Sequence, residues 1–382
     1  MKNQKTNISI LTLSLGSGGA EKVISLLLKE LKNDYNVSLV LFYDVIHFPI
    51  PEEVDVTVLS KKGADRPYFL RFIDFITFFI KYNRFIKKNN INIAVSFLAF
   101  PNLLNGIIAI LNKKVKTIIS ERGFPSDNTT SRISLYISKV FYPIFYNRCH
   151  ALFSNSIHIN KDLKDNFGIK IPMEVIYNPI EIPTKTIVSE TLNNNKKILD
   201  IITAGTLNKR KNQAMIVRAL NEQENNDKLT ILGGGELKDF LESEITKYNL
   251  NDQVQLGGKV KNVNDYFLES NCFILSSFTE GFPNALLEAM AIGLPCISTN
   301  CLSGPLEMLN ENEELNINDG EFYIAKYGLL VNNDDHKGLH KAIEYYRNHP
   351  KERERYSRLS LERSKQYQIK NIYSIFNQFI QK

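Results

Sequence analysis

Short apolar runs alternate with helix-length segments along almost the whole chain, and no other feature restricts the fold as much. A run of about four to eight apolar residues reads as a strand buried on both faces. Strands of that kind belong to parallel sheets, where each is joined to the next by a crossover, normally a helix. Such runs fall at 8–13, 37–42, 54–59, 93–97, 117–120, 151–154 and 173–176, and again at 200–204, 228–232, 254–256, 272–275, 295–299 and 327–331. Helices are expected to begin near Ala20, Phe69, Asn102, Ile133, Lys161, Gln213, Leu237, Val263, Ala285 and Asp335. A polar stretch with Asn178-Pro179, Pro183 and the asparagines at 193–195 separates the two series and has the composition of a linker. At 382 residues the chain also exceeds what one core ordinarily organises. The expected fold class is α/β: two doubly wound, Rossmann-like domains at 1–182 and 183–365, followed by a helix within 366–382.

Hydrophobic residues make up 43% and charged residues 23%, which excludes a disordered or fibrous chain. The 4 cysteines form no Cys-x-x-Cys pair and no cluster with histidine. That argues against a disulfide scaffold or a structural zinc and for a reducing, cytoplasmic compartment. The polar first residues lead straight into a strand-like run, and read as a domain start and not a signal peptide. The net charge of +6 is uneven: residues 1–180 carry 23 Lys+Arg against 14 Asp+Glu, residues 181–382 carry 24 against 27. A basic first half calls for an anionic neighbour, either a phosphorylated substrate, a phospholipid surface or nucleic acid. The segment Tyr68–Lys88 crowds Phe69, Phe72, Phe75, Phe78, Phe79 and Phe85 among Arg71, Lys81, Arg84, Lys87 and Lys88. A basic, Phe-rich helix can lie in the plane of an anionic leaflet, or it can cover one face of the first sheet. No apolar window reaches the ~20 residues of a membrane span.

The segment richest in chemistry is 276–290. A strand ends at Leu275, the loop Gly281-Phe282-Pro283 follows, and a helix starts near Asn284. First-turn amides and the helix dipole favour an anion there. Glu280 precedes this helix and Glu288 lies inside it, so the two carboxylates point in different directions. They suit two ends of one hydroxyl-rich ligand better than acid/base work on a single bond. The chain has no Gly-x4-Gly-Lys-[Ser/Thr] loop, which disfavours a kinase or ATPase. It also lacks Gly-x-Gly-x-x-Gly followed by a ribose-binding acid, which disfavours a dinucleotide-dependent oxidoreductase.

With Ala289-Met290-Ala291-Ile292-Gly293-Leu294-Pro295 downstream, this segment resembles glycosyltransferase family 4. Those are retaining enzymes of the GT-B architecture, two facing Rossmann-like domains with a cleft between them. The resemblance implies that Glu280 touches donor-sugar hydroxyls and Glu288 the ribose. It implies that Phe282, Pro283, Asn284, Ala285 and Leu286 form the donor-binding loop whose backbone amides hold sugar and diphosphate. Residues 204–212 match a strand-to-helix turn that usually reads Gly-Arg-Leu-x3-Lys. Lys211 falls on the lysine that neutralises the departing diphosphate; Thr206 stands where arginine is usual, and Arg210 is the candidate to supply that charge. Gly18, Gly19, Gly234, Lys259 and Val260 match further donor-binding loops, as does the run Ser303-Gly304-Pro305-Leu306-Glu307. Glu121 and Arg122 end a first-domain strand on the acceptor side.

The same resemblance implies an acceptor-binding first domain, a donor-binding second domain and a final helix that packs back on the first. No Asp-x-Asp occurs, so neither a metal nor another cofactor is expected, and the diphosphate would be met by Lys211, Arg210 and helix-start amides. The implied partners are a nucleotide sugar, UDP-linked, a lipid-linked glycan and the cytoplasmic face of an inner membrane, with no nucleic acid. Ser-Gly-Gly-Ala-Glu, Ile-Ser-Glu-Arg and Glu-Gly-Phe-Pro-Asn together look most like bacterial N-acetylgalactosaminyltransferases that extend lipid-linked oligosaccharides for O-antigen, capsule or protein glycosylation. A hexosyltransferase using GDP-mannose or UDP-glucose on the same fold stands as the alternative. A basic nucleic-acid-binding module is the distant one.

Overall fold

The computed structural model describes residues 5–61, 68–127, 132–194, 198–222 and 226–382; the side chains of 68–72 and 132–133 lie outside the described set. The chain forms two compact units, Met1–Pro179 with Ile369–Lys382, and Ile180–Gln368. The first boundary falls at Pro179/Ile180 instead of 182/183. Ile180 N–H donates to Tyr367 O at 2.8 Å and Ile180 bridges Gln368, which binds the segment after Pro179 into the second unit.

The first unit runs β1 (Thr6–Thr12), α1 (Gly19–Asp34), β2 (Tyr35–Tyr43), β3 (Asp55–Ser60), α2 (Tyr68–Lys88), β4 (Ile93–Phe97), α3 (Ala99–Leu111), β5 (Lys116–Glu121), α4 (Arg132–Tyr146), β6 (Ala151–Ser154), α5 (Ile157–Phe167) and β7 (Met173–Val175). Its sheet is all parallel in the order β3-β2-β1-β4-β5-β6-β7. The order reverses between β1 and β4, where loops at the carboxyl ends diverge and leave room for a ligand.

The second unit runs β8 (Asp200–Ala204), a 3-10 turn (Lys209–Lys211), α6 (Gln213–Asn221), β9 (Lys228–Leu232), α7 (Lys238–Lys247), β10 (Val254–Gly258), α8 (Val263–Leu268), β11 (Cys272–Leu275), α9 (Asn284–Ile292), β12 (Cys296–Thr299), α10 (Pro305–Asn310), β13 (Phe322–Ile324), β14 (Leu329–Val331), α11 (His336–Asn348) and α12 (Pro350–Lys365). Its sheet order is β10-β9-β8-β11-β12-β14-β13, with only β13 antiparallel among the described strands. The last helix, α13 (Ile369–Gln381), belongs to the first unit. It lies along α1 and places Phe376 and Phe379 edge-on to Phe153, with centroids 5.4 and 5.8 Å apart.

Of the two roles expected of α2, its described side chains fill that of a cover for the first sheet. Phe78 is buried, and Phe75, Phe79 and Phe85 pack against the core that holds Phe42, Tyr82 and Ile86. Phe42 and Phe78 stack at 4.5 Å. The described phenylalanines therefore cover the sheet; Phe69, Arg71 and Phe72 lie outside the described side chains. What α2 turns outward is Ile73, Ile76 and Ile80 with Lys81, Arg84, Lys87 and Lys88. A second apolar stripe, not expected, runs along α4: Tyr136, Ile137, Val140, Phe141 and Ile144 are all exposed.

Helix α3 is sunk into the layer. A Cβ at Gly106 would stand 2.5 Å from Phe145 O of α4, so only glycine permits this approach. Beneath it lies a polar seam. Asn102 Nδ2 donates to Ser120 O at 2.8 Å and to Glu121 Oε1 at 3.1 Å, and the Tyr146 hydroxyl also donates to Glu121 Oε1. Glu121 ends β5 and turns into this seam. Burial pushes its carboxyl up to about 7, only partly offset by the two donated hydrogen bonds. Gly106→Ala should destabilise the chain by roughly 1–3 kcal/mol net of the ~1 kcal/mol that alanine gains inside a helix, read as a lower urea midpoint. A carboxyl raised from 4.5 to about 7 stabilises the fold fully below about pH 4.5 and loses that contribution as pH rises through about 7. Wild type should thus lose about 3 kcal/mol between pH 4.5 and 8 from this group, and Glu121→Gln should abolish that slope in urea titrations.

Candidate active site

Loops at the carboxyl ends of β8, β9, β10, β11 and β12 in the second unit carry nearly all the residues singled out in that half of the sequence. Their backbones are close. A Cβ at Gly233, φ +136°, would stand 1.9 Å from Gly205 O, and one at Gly235 would stand 2.3 Å from Leu207 O. Leu207 N–H donates to Gly234 O at 3.1 Å and Gly233 N–H to Gly258 O at 2.7 Å, so three loops are laced edge to edge. The stem of Lys259 crosses Gly234, within 3.1 Å of where a Cβ would be, which lays an exposed cation over the glycine loop. Val260 follows, half-buried, and Thr206 is exposed with its carbonyl accepting from Asn208 N–H at 3.0 Å.

Glu280 is the centre of the arrangement. Its side chain is 6% exposed, yet both oxygens are met by cations: Lys211 Nζ lies 2.5 Å from Oε1 and Arg210 Nη1 lies 2.9 Å from Oε2. Ser277 Oγ adds a bond to Oε1 at 2.6 Å. Burial alone would raise this carboxyl; the Lys211 and Arg210 charges, with the bonds from Lys211 and Ser277, outweigh it and hold it below the usual carboxylate range. Two adjacent residues reach one carboxylate because their turn is fixed at every point. Asn208 Oδ1 accepts from Lys211 N–H at 3.1 Å, Arg210 O accepts from Phe278 N–H at 2.8 Å, and Lys211 O accepts from Ser276 Oγ at 2.9 Å. Asn212, φ +47°, then turns the chain into α6 and donates to Asp334 Oδ1 at 3.0 Å.

Helix α9 begins at Asn284 after Pro283, which supplies no side-chain cap, and its first turn holds Asn284, Ala285 and Leu286. Phe282 is buried edge-on to Tyr367, 5.2 Å between centroids, so it acts as an anchor of the loop. Glu288 sits half-buried in the second turn. The Ser303–Gly304 run braces this loop. Ser303, itself at φ +69°, donates through Oγ to Gly281 O at 2.7 Å, and a Cβ at Gly304 would stand 2.6 Å from Pro283 Cδ. Ser277, Asn208 and Asp334 were not singled out from the sequence. For Ser277 a signal existed, three residues before Glu280.

The remaining candidates lie in the first unit. Gly18 caps α1, and a Cβ there would stand 2.3 Å from Glu21 Oε2, so the Glu21 carboxylate folds over the helix start. Burial raises that carboxyl, with a bond from its own amide opposing. Gly19 opens the helix and is exposed. Glu121 and Arg122 are both buried and diverge to opposite faces of the sheet, so they form no ion pair with each other. Arg122 sits over Phe97 and Phe153 at 5.9 and 5.8 Å and donates to Asn178 Oδ1 at 2.5 Å; burial lowers its pKa to about 9. Among the described residues no group of three or more His, Cys, Asp or Glu could hold a metal ion.

This geometry can bind a phosphorylated, hydroxyl-bearing ligand: two cations, helix-start amides and glycine-lined backbone converge beside a buried carboxylate. The sequence matches the family model for Glycosyltransferase Family 4 over residues 17–182 and that for Glycosyl transferases group 1 over residues 184–362. The N-acetylgalactosamine-N,N'-diacetylbacillosaminyl-diphospho-undecaprenol 4-alpha-N-acetylgalactosaminyltransferase of Campylobacter jejuni is 28% identical over 368 residues, 94% of this chain and 95% of that protein. The GalNAc-alpha-(1->4)-GalNAc-alpha-(1->3)-diNAcBac-PP-undecaprenol alpha-1,4-N-acetyl-D-galactosaminyltransferase of the same organism is 26% identical over 96% of this chain and 95% of its own length. The solved structure of Anabaena HepE in complex with UDP superposes with a TM-score of 0.76 at 16% identity, covering 98% of this chain and 100% of that one. The chain belongs to the GT-B glycosyltransferases, its first unit a family 4 domain and its second a group 1 domain.

Proposed function

We propose that the chain transfers N-acetylgalactosamine, or a closely related N-acetylhexosamine, from its UDP-sugar to a polyprenyl-diphosphate-linked oligosaccharide, with retention and without a metal. The second unit holds the donor and the first meets the acceptor. The convergence of Lys211, Arg210 and the start of α9 around Glu280 is the observation that carries this reading. Both Campylobacter relatives are named for N-acetylgalactosamine transfer to undecaprenol-linked glycans, which supports the choice of sugar and acceptor. The diphosphate departs toward Lys211 and the helix-start amides, leaving an oxocarbenium-like sugar whose ring hydroxyls are held by Glu280. The acceptor hydroxyl adds from the same face and gives its proton to a donor phosphate oxygen. Charge that develops on the leaving group is met by fixed cations and dipoles, the usual source of the largest catalytic term.

Purified protein incubated with a panel of UDP- and GDP-sugars and a polyprenyl-diphosphate glycan tests the reading directly. Product with UDP-GalNAc is expected; transfer from GDP-mannose or UDP-glucose alone would replace the sugar assignment. Activity should survive excess EDTA, while Lys211→Ala should lower kcat by roughly 10²-fold or more, since it removes charge facing the leaving group. Loss in EDTA that returns with Mg²⁺ or Mn²⁺ would overturn metal independence.

The lipid-linked acceptor also requires a meeting with a membrane, and among the described residues no helix is long and apolar enough to cross one. The outward isoleucines of α2, its basic residues and the apolar stripe of α4 suit peripheral docking on an anionic leaflet. Each basic residue near such a surface is worth about 1 kcal/mol, screened by salt, whereas apolar insertion is not. The protein should float with anionic liposomes, more weakly at high salt. Glutamine at Lys81, Arg84, Lys87 and Lys88 should reduce the floated fraction, and serine at Phe141 and Ile144 should remove the salt-resistant part. A protein that stays soluble at low salt would rule the docking out.

A further inference from the structure

We infer that Glu280 competes with the donor's diphosphate for Lys211 and Arg210, so that nucleotide entry and release are exchanges of ion-pair partner; the inference rests on the donor site proposed above. Both cations pair with this one carboxylate, through separate oxygens at 2.5 and 2.9 Å. The Glu280 side chain is 6% exposed and Lys211 13%, while Arg210 is 44% exposed. A carboxylate so buried depends on these cations, because an unpaired buried charge is costly. The cations outnumber it, which leaves one positive charge over for an anion. A diphosphate carries more than one negative charge and draws on both cations.

The conflict is sharpest at Arg210. Its Nη1 already donates to Thr279 O at 2.8 Å as well as to Glu280, so a phosphate oxygen approaching that nitrogen must displace one of the two. A bare nucleoside diphosphate strips Glu280 and gives the carboxylate nothing in return. A nucleotide sugar brings hydroxyls that donate to the oxygens it has freed. Glu280 thereby penalises nucleoside diphosphate relative to nucleotide sugar. Once the sugar has moved to the acceptor, it recaptures the two cations and helps the product leave. If Glu280 only contacted the sugar, it would be indifferent to a ligand that has none.

Equilibrium binding of UDP, measured calorimetrically, separates these roles. UDP should bind Glu280→Gln about tenfold tighter than wild type, the size expected when a charge-assisted pair no longer competes, even as turnover falls. Glu280→Asp, which keeps the charge but shortens the reach, guards against a folding defect in the first variant and should also bind UDP tighter. Arg210→Gln should weaken UDP binding severalfold, and in its background the gain from Glu280→Gln should shrink. Unchanged or weaker UDP binding in both Glu280 variants would overturn the competition while leaving the donor site standing. A wild-type protein that binds neither UDP nor any other nucleoside diphosphate of the panel would overturn the donor site and this inference with it.

Discussion

Parallel strands cannot be joined by tight turns, and the crossover that each one requires decides where every functional group of this chain ends up. Because all strands but β13 of those described run the same way within their sheet, the loops that leave them gather at one edge. Helices that follow begin at that edge and present their amino ends to it. The two cations of the 3-10 turn, the glycine loops and the start of α9 are distant in sequence, yet share this edge for that reason alone. Chemistry is then a matter of which side chains the loops carry.

Within that frame the structure treats charge economically. Glu280 is kept ionised inside the second unit by two neighbouring cations, whereas Glu121, also at the carboxyl end of a strand, is pushed toward neutrality by burial among neutral donors. The contrast is set by partners and not by depth, since both carboxylates are buried. One is equipped to exchange counter-ions with a charged ligand; the other locks α3 and α4 to β5. Glu121 at the end of β5 and Arg122 just after it show how adjacent residues acquire unrelated roles, because successive side chains of an extended chain leave opposite faces.

Much of this was legible in the sequence. Continuous apolar runs marked 93–97, 151–154, 200–204, 228–232 and 272–275 with the bounds observed, since a strand buried on both faces leaves no other pattern. What escaped lies where local sequence is a weak guide. β13 is three residues long at a sheet edge with half its surface wet, and α10 is a short helix behind a proline. α12 hides in a charged segment because its buried face is polar: Arg353, Ser357, Ser360 and Ser364 point inward, and Arg353 donates to Leu192 O at 3.2 Å and Asn194 O at 2.6 Å. Tertiary pairing of that kind leaves no periodic signal. Likewise the motif located Glu280 and Lys211, but not that they bind each other, nor that Arg210 joins them. The phenylalanines of α2 left two readings open. Composition said how many there were, and only packing could say which way they faced.

The position of α13 has a consequence for how the chain is made. Segments on either side of the second unit belong to the first, so the second is an uninterrupted insertion whose own ends, Ile180 and Gln368, are bridged to each other. Ile372, Phe376, Phe379 and Ile380 cover apolar surface around Phe153 that exists as soon as β6 has formed. During synthesis that surface stays bare until α13 has left the ribosome, by which time the whole inserted unit ahead of it has been released and can fold alone. The half that is translated first is therefore the half completed last, and its unfinished face is what a chaperone would meet on the nascent chain.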